Sequence, residues 1–160
     1  MSPEFKASAA VVREASSKHG IESLLGEISK INNSGTTVQL FDPDRVINRM
    51  HLCGAYVNAL YAFASKTNAS RKISTEMLLY AAMTRQIGKA IGLVGAKSGR
   101  RFVVFANSKP SFSKITGLLA SSREFSTTKA KEISTAKKFG IGTKDLEASV
   151  LQKMAVSGLD

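Results

Sequence analysis

Four consecutive residues, Phe102, Val103, Val104 and Phe105, carry no polar side chain. Successive residues of a strand point to opposite faces, so an unbroken run of β-branched and aromatic residues describes a strand covered on both sides. The rest of the chain supplies apolar cover mainly as helical stripes. Ile21, Leu24, Leu25, Ile28 and Ile31 recur at spacings of three, one, three and three, an amphipathic helix ended by Asn32, Asn33, Ser34 and Gly35. Val46, Met50, Cys53, Val57, Leu60 and Ala64 recur at fours and threes, with Ala55, Ala59, Ala62 and Phe63 on the remaining faces, which predicts a central and mostly buried helix. Met77, Leu78, Ala81 and Ala82 predict another, with Ser74 as its cap. Ile87, Ala90, Ile91 and Val94 continue helical spacing past a bend at Gly88 as far as Gly95.

The remaining segments are shorter. Residues 36–41 alternate, Val38 and Leu40 against Thr37 and Gln39, as a half-buried strand does, and Asp42 and Pro43 stop it and can open a helix. Residues 7–13 offer a weak first strand, and residues 1–6 read as a disordered start or an appended leader. Pro110 opens a helix carrying Phe112, Ile115, Leu118 and Leu119. Residues 123–128 fit an edge strand or a loop, and residues 129–139 a helix or a partly mobile segment. Thr143 caps a final helix on which Leu146, Val150 and Met154 share one face. At 160 residues, 43% apolar and 22% charged, with no internal repeat, the whole is sized and composed for one folded domain.

Charge narrows the function. The chain carries 23 Lys and Arg against 12 Asp and Glu, a net +11. The first 50 residues are balanced, six against six, so the whole excess lies in residues 51–160; between Lys66 and Arg123 stand 11 cations and a single acid, Glu76. Such an excess points to an anionic partner, nucleic acid ahead of membrane, against the alternative of a merely solvated face. No apolar run approaches the roughly 18 residues a bilayer span needs, and the N-terminus lacks the order of a signal peptide. The expected location is cytoplasmic, with the nucleus as well if the source is eukaryotic.

Little in the sequence resembles catalytic machinery. Cys53 is the sole cysteine and His19 and His51 the only histidines, so no metal set forms at ligand spacing, and structural roles are expected for both histidines and a buried inert thiol for Cys53. The stretch 92–99, G-L-V-G-A-K-S-G, lacks the Gly before its Lys and the strand that a P-loop requires. Glu76 is expected to pair with Arg71 or Lys72. Arg85 and Lys89, four apart, are expected to be neighbours on one helical face, a mildly repulsive pair that an anion would relieve. Gln86 adds an amide and Ile87 an apolar surface, a combination suited to unpaired nucleotides, with Ile87 in the core as the competing reading. Lys66, Arg71, Lys72, Arg100 and Arg101 fall in flanking breaks and could extend the patch.

Several motifs then occur in a suggestive order: Val38-Gln39-Leu40-Phe41-Asp42 followed by Val46; His51-Leu52 with Ala59, Ala62 and Phe63; Asn68-Ala69-Ser70; Glu76-Met77-Leu78-Leu79-Tyr80; Thr84-Arg85-Gln86-Ile87 with Ala90-Ile91 and Gly95; and Phe139-Gly140-Ile141. From about Gly20 onward this order resembles the small kinase-binding subunit of the KEOPS (EKC) complex, the PRPK-binding protein family. The chain departs from the family's pattern in its N-terminus and in a less acidic final helix, where Gln152 and Lys153 stand. The resemblance implies an α/β fold of the α+β type, a small, largely antiparallel sheet flanked by several helices. It also implies a subunit without catalysis, cofactor or small-molecule substrate, which binds the complex's atypical kinase-like ATPase. In archaeal-type complexes the family captures the single-stranded CCA end of tRNA while a partner installs N6-threonylcarbamoyladenosine. On that footing Arg85, Gln86 and Ile87 are assigned to the RNA tail, Lys66, Arg71, Lys72 and Lys89 to its phosphates, and Val150, Leu151 and Met154 to the kinase. Two rivals stand beside this reading: a free-standing basic RNA-binding protein, and a small enzyme using His51 or Cys53.

Overall fold

The computed structural model describes residues 1–33, 35–142 and 144–158. In chain order the elements are α1 (Pro3–Ser8), β1 (Val11–Ser17), α2 (Ile21–Ile31), β2 (Val38–Phe41), α3 (Arg49–Ala64), α4 (Ile73–Ala82), α5 (Ile87–Val94), β3 (Phe102–Ala106), α6 (Lys109–Ser113), β4 (Leu119–Glu124), α7 (Lys129–Lys137) and α8 (Leu146–Ser157). The strands form one antiparallel sheet in the order β2-β3-β1-β4. Every residue of β3 is buried, as its unbroken apolar run requires. Phe102, Val104 and Ala106 face a smaller core with Leu24 and Ile28 of α2 and with Ile115; Val103 and Phe105 face a larger one built from α3, α4, α5 and α8. The result is an α+β domain in which helices cover both faces of the sheet, and truncating a buried leucine such as Leu24 would cost about 2–5 kcal/mol.

Several boundaries differ from the sequence reading, each for a local reason. Residues 1–6 are not structureless: Ser2 accepts a hydrogen bond from the Phe5 N–H at 3.2 Å and Pro3 starts α1. Tyr61 of α3 then donates to the Glu4 carboxylate at 2.9 Å, and Arg49 to the Ala10 carbonyl at 2.7 Å, tying α1 to α3. The first strand consequently begins at Val11, not Ala7. Strand β2, Val38–Phe41, is covered on both faces and not half-buried: Val38 and Leu40 enter the smaller core and Phe41 the larger, with Gln39 partly buried. Asp42 caps only a 3-10 turn, Pro43–Arg45. The cap of α3 is Asn48, which accepts from the His51 N–H at 2.9 Å, so that helix starts three residues after Val46.

The deepest face of α3 is His51, Ala55, Ala59 and Ala62 with Leu52 and Tyr56, while Met50, Cys53, Val57 and Leu60 of the expected stripe lie at its margin. Three alanines on one face let α4 approach closely. Ser74 does not cap α4; it is the helix's second residue. The break after α4 falls at Met83, whose left-handed backbone (φ 59°) ends the helix five residues before Gly88. Downstream of Pro110 the helix stops at Ser113, and a 3-10 turn at Thr116–Leu118 delivers Leu119 into β4. Strand β4 is an edge strand closing at Glu124, with residues 125–128 a loop, and α7 is a helix capped by Thr128. The face of α8 formed by Leu146, Val150 and Met154 is buried as its spacing requires. Ser34 and Thr143 lie outside the described residues.

Candidate functional site

The chain leaves α3 through Lys66, in a left-handed conformation (φ 59°), and turns back along α4. Two sets of hydrogen bonds hold that return. At the far end Arg85 donates to the carbonyl of Thr67 at 3.2 Å and to that of Gly158 at 2.9 Å. Nearer the start of α4, the fully buried Glu76 accepts from the backbone N–H groups of Ala69 and Ser70, both at 2.9 Å, and from the Ser70 hydroxyl at 3.0 Å. Glu76 thus makes no ion pair with Arg71 or Lys72, contrary to expectation; it organises the loop that carries them.

Lys66, Arg71 and Lys72 are exposed on the returning loop before α4, which is about 15 Å long for its ten residues, and Arg85 stands in the break beyond it; the Lys72 ammonium donates to the Ser29 carbonyl of α2 at 3.4 Å. Arg85 precedes α5 and does not share a helical face with Lys89. Gln86, Ile87 and Lys89 are exposed at the start of α5. Ile87 is 43% exposed and Ile91, one turn on, 54%, so Ile87 is not a core residue. Arg100 and Arg101 do not extend this set. Arg101 reaches Glu14 of β1 at 3.3 Å, Arg123 of β4 meets the same carboxylate at 3.1 Å, and Arg100 lines a hollow with Ser17 and Gly20.

The final helix presents less than the sequence suggested. Val150 and Met154 are fully buried, so neither can touch a partner; only Leu151, 38% exposed, can. Leu151 borders a groove of about 670 Å³ with Ala7 of α1 and Met50, Cys53, Gly54 and Val57 of α3. Gly54 is what lets α8 sit there, since a Cβ at that position would lie 2.8 Å from the Met154 methyl carbon and 2.9 Å from Leu151.

His51 is fully buried and committed at both ring nitrogens. The Ile47 N–H donates to Nδ1 at 3.1 Å, so Nδ1 is bare, Nε2 carries the proton, and Nε2 donates to the Ala81 carbonyl at 3.0 Å. Burial pushes its pKa down from 6.5 to about 4, the Ala81 carbonyl opposing in part. Phe139 packs edge-on against the ring. Burial pushes the Cys53 thiol up, partly offset by Arg49, the reverse of an activated nucleophile. His19 sits in the exposed turn after β1. The rival enzyme using His51 or Cys53 thus finds an enclosed ring at the first and a thiol held protonated at the second.

A further concavity is absent from the sequence reading. Asn32, Asn33, Thr36, Thr37, Phe63, Arg71, Lys72, Ile73 and Ser74 enclose about 320 Å³ at the start of α4. Strand alternation turns Thr37 to solvent and helix spacing makes Ser74 a cap, so neither pattern hints at a shared hollow. No local pattern could bring together two residues so far apart in the chain.

Fold and exposed features define a small α+β domain with exposed cations on the segments around α4 and a groove of mixed lining beside Leu151. The chain belongs to the family of kinase-binding protein CGI-121, whose family model matches residues 19–158. The match begins after β1, so α1 lies outside it. No curated protein matches the chain significantly.

Proposed function

We propose that the chain is a non-catalytic, cytoplasmic subunit of a KEOPS-type complex, binding the complex's kinase-like ATPase through an apolar surface and the 3′ CCA end of tRNA through the exposed cations around α4, in support of N6-threonylcarbamoyladenosine formation. Membership of a kinase-binding family supports the first interaction. One observation carries the second: the only acid between Lys66 and Arg123 is turned inward and fully buried, leaving Lys66, Arg71, Lys72 and Lys89 unopposed by it at the surface. Gln86 and Ile87, exposed at the start of α5 near Lys89, add an amide and an apolar surface for unstacked bases. Of Val150, Leu151 and Met154 only Leu151, at its groove, is open to the kinase.

The test is filter binding of intact tRNA against tRNA trimmed of its 3′ end. Lys89→Glu should weaken binding of intact tRNA about tenfold and reduce the salt slope by roughly one for each phosphate that is no longer neutralised, leaving kinase affinity unchanged. Arg85→Glu should do the same at some cost in stability, since Arg85 also holds Thr67 and Gly158. Equal binding of the two tRNAs, or an unaltered salt slope, refutes the RNA assignment. Leu151→Asp should lower kinase affinity and spare tRNA. A chain that binds tRNA but co-purifies with no ATPase would be the free-standing RNA-binding protein instead.

A further inference from the structure

We propose that the hollow at the start of α4 is a nucleotide site, holding a phosphate on the helix N-terminus and a base against Phe63. The helix end is open: no side chain caps α4, and the first of its N–H groups to find a carbonyl is that of Glu76, on Lys72 at 2.9 Å. The N–H groups of Ile73, Ser74 and Thr75 thus point out of the helix with the positive end of its dipole behind them, the arrangement that receives phosphate. An open helix end alone does not make a site. Here two buried hydroxyl residues stand in the same hollow, Ser74 at 5% exposure and Thr37 at 3%, and neither side chain forms a hydrogen bond among the described residues. Among those residues no fully enclosed side-chain oxygen or nitrogen lacks a partner, so both hydroxyls reach the open space of the hollow.

The walls complete the chemistry. Arg71 and Lys72 flank the helix end, and none of the lining residues is acidic. Phe63 and Ile73 form the apolar side, and a volume near 320 Å³ exceeds what a bare phosphate fills, at the lower end of small-ligand pockets. The opposite wall is rigid. The Asn32 side chain clamps both backbone groups of Val38, at 2.8 and 3.0 Å, and the Thr37 N–H is held by the Asn107 side chain at 3.0 Å. A phosphorylated ligand bearing a flat ring meets all these groups at once. The ligand's source is either a free nucleotide or one residue of an RNA strand. The proposal shares Arg71 and Lys72 with the RNA assignment but rests on the hydroxyls and the helix end.

The experiment is an amide-resolved NMR titration of the full chain with AMP, adenosine and inorganic phosphate, repeated on the double variant Thr37→Val with Ser74→Ala, which changes no charge. AMP should shift the amides of Ile73, Ser74 and Thr75 and bind at least tenfold tighter than adenosine, with phosphate moving the same amides more weakly. The double variant should lose tenfold or more in AMP affinity; if it does not fold, Arg71→Gln serves in its place. AMP and adenosine binding alike, or amides at the start of α4 that stay still, overturns the proposal whatever tRNA does. A competition arm decides the source. AMP displacing tRNA identifies an RNA residue, and simultaneous binding of both identifies a free nucleotide; either supports the site. Loss of tRNA binding in Lys89→Glu with AMP binding intact separates this site from the RNA assignment.

Discussion

Acid should destabilise this protein through His51, and by a calculable amount. The ring accepts from Ile47 at Nδ1 and donates from Nε2 to Ala81, so the neutral form satisfies both ends. A proton added to Nδ1 would turn the acceptor into a second donor facing the Ile47 N–H, inside a fully buried site. The folded pKa of about 4 lies below the unfolded value of 6.5. Above pH 6.5 neither state binds the proton and the linkage is silent; between pH 6.5 and 4 the unfolded chain binds it and the folded chain does not, so stability falls as pH falls. Each pH unit within that window costs about 1.4 kcal/mol at most, and the whole window about 3 kcal/mol. The assay is urea unfolding of the wild type and His51→Gln at half-unit steps from pH 7.5 to 4.5. Subtracting the variant removes the carboxylates, which titrate in both proteins. The variant is expected to be less stable at pH 7.5, and the gap should close by about 2–3 kcal/mol by pH 4.5. A gap constant to within about 0.5 kcal/mol would refute the linkage and with it the neutral-ring geometry.

Replacing the carboxylate in Glu76→Gln should cost about 2–3 kcal/mol, because charge-assisted bonds to two N–H groups are weakened while the site stays buried; a loss under about 0.5 kcal/mol in the same unfolding assay would show that the loop holds itself. Gly54→Val should lower stability by about 1–3 kcal/mol and raise the reactivity of Cys53 by lifting α8 from α3, since the new carbons would overlap Met154 and Leu151. In the wild type, Cys53 should alkylate with iodoacetamide at pH 7.5 more slowly than free cysteine, because burial raises its pKa; a rate equal to that of free cysteine would contradict its placement beside α8.

Legibility differs by element. Strand β3 and the buried face of α8 can be read with their facing residues intact, and α2 with the exception of Leu25, which is exposed beside the buried Ile21, Leu24 and Ile28, because each advertises its environment by periodicity within a dozen residues. Helix α1 escapes the sequence reading although Ser2, Pro3 and Glu4 carry a helix-start pattern, because its hold on α3 through Glu4 and Tyr61 spans 57 residues. Val150 and Met154 do share one face, but spacing offers them to a partner as readily as to the core, since a helical stripe alone does not say whether its cover comes from the same chain. The candidate RNA residues can be picked out by charge, yet whether Arg85 lies on a helix depends on Met83 adopting a left-handed turn that methionine does not announce.

The amino-acid order determined by itself where the apolar stripes run, how much positive charge gathers after residue 51, and which motifs mark the family. Those are properties of neighbours along the chain, and local physics reads them directly. Only the tertiary structure decided that Glu76 turns inward beneath the cations, that Arg101 leaves them for Glu14, and that Thr37 and Ser74 open on one hollow. Each of those facts depends on which distant segments pack together, and packing is settled by the sum of many weak attractions spread over the whole core.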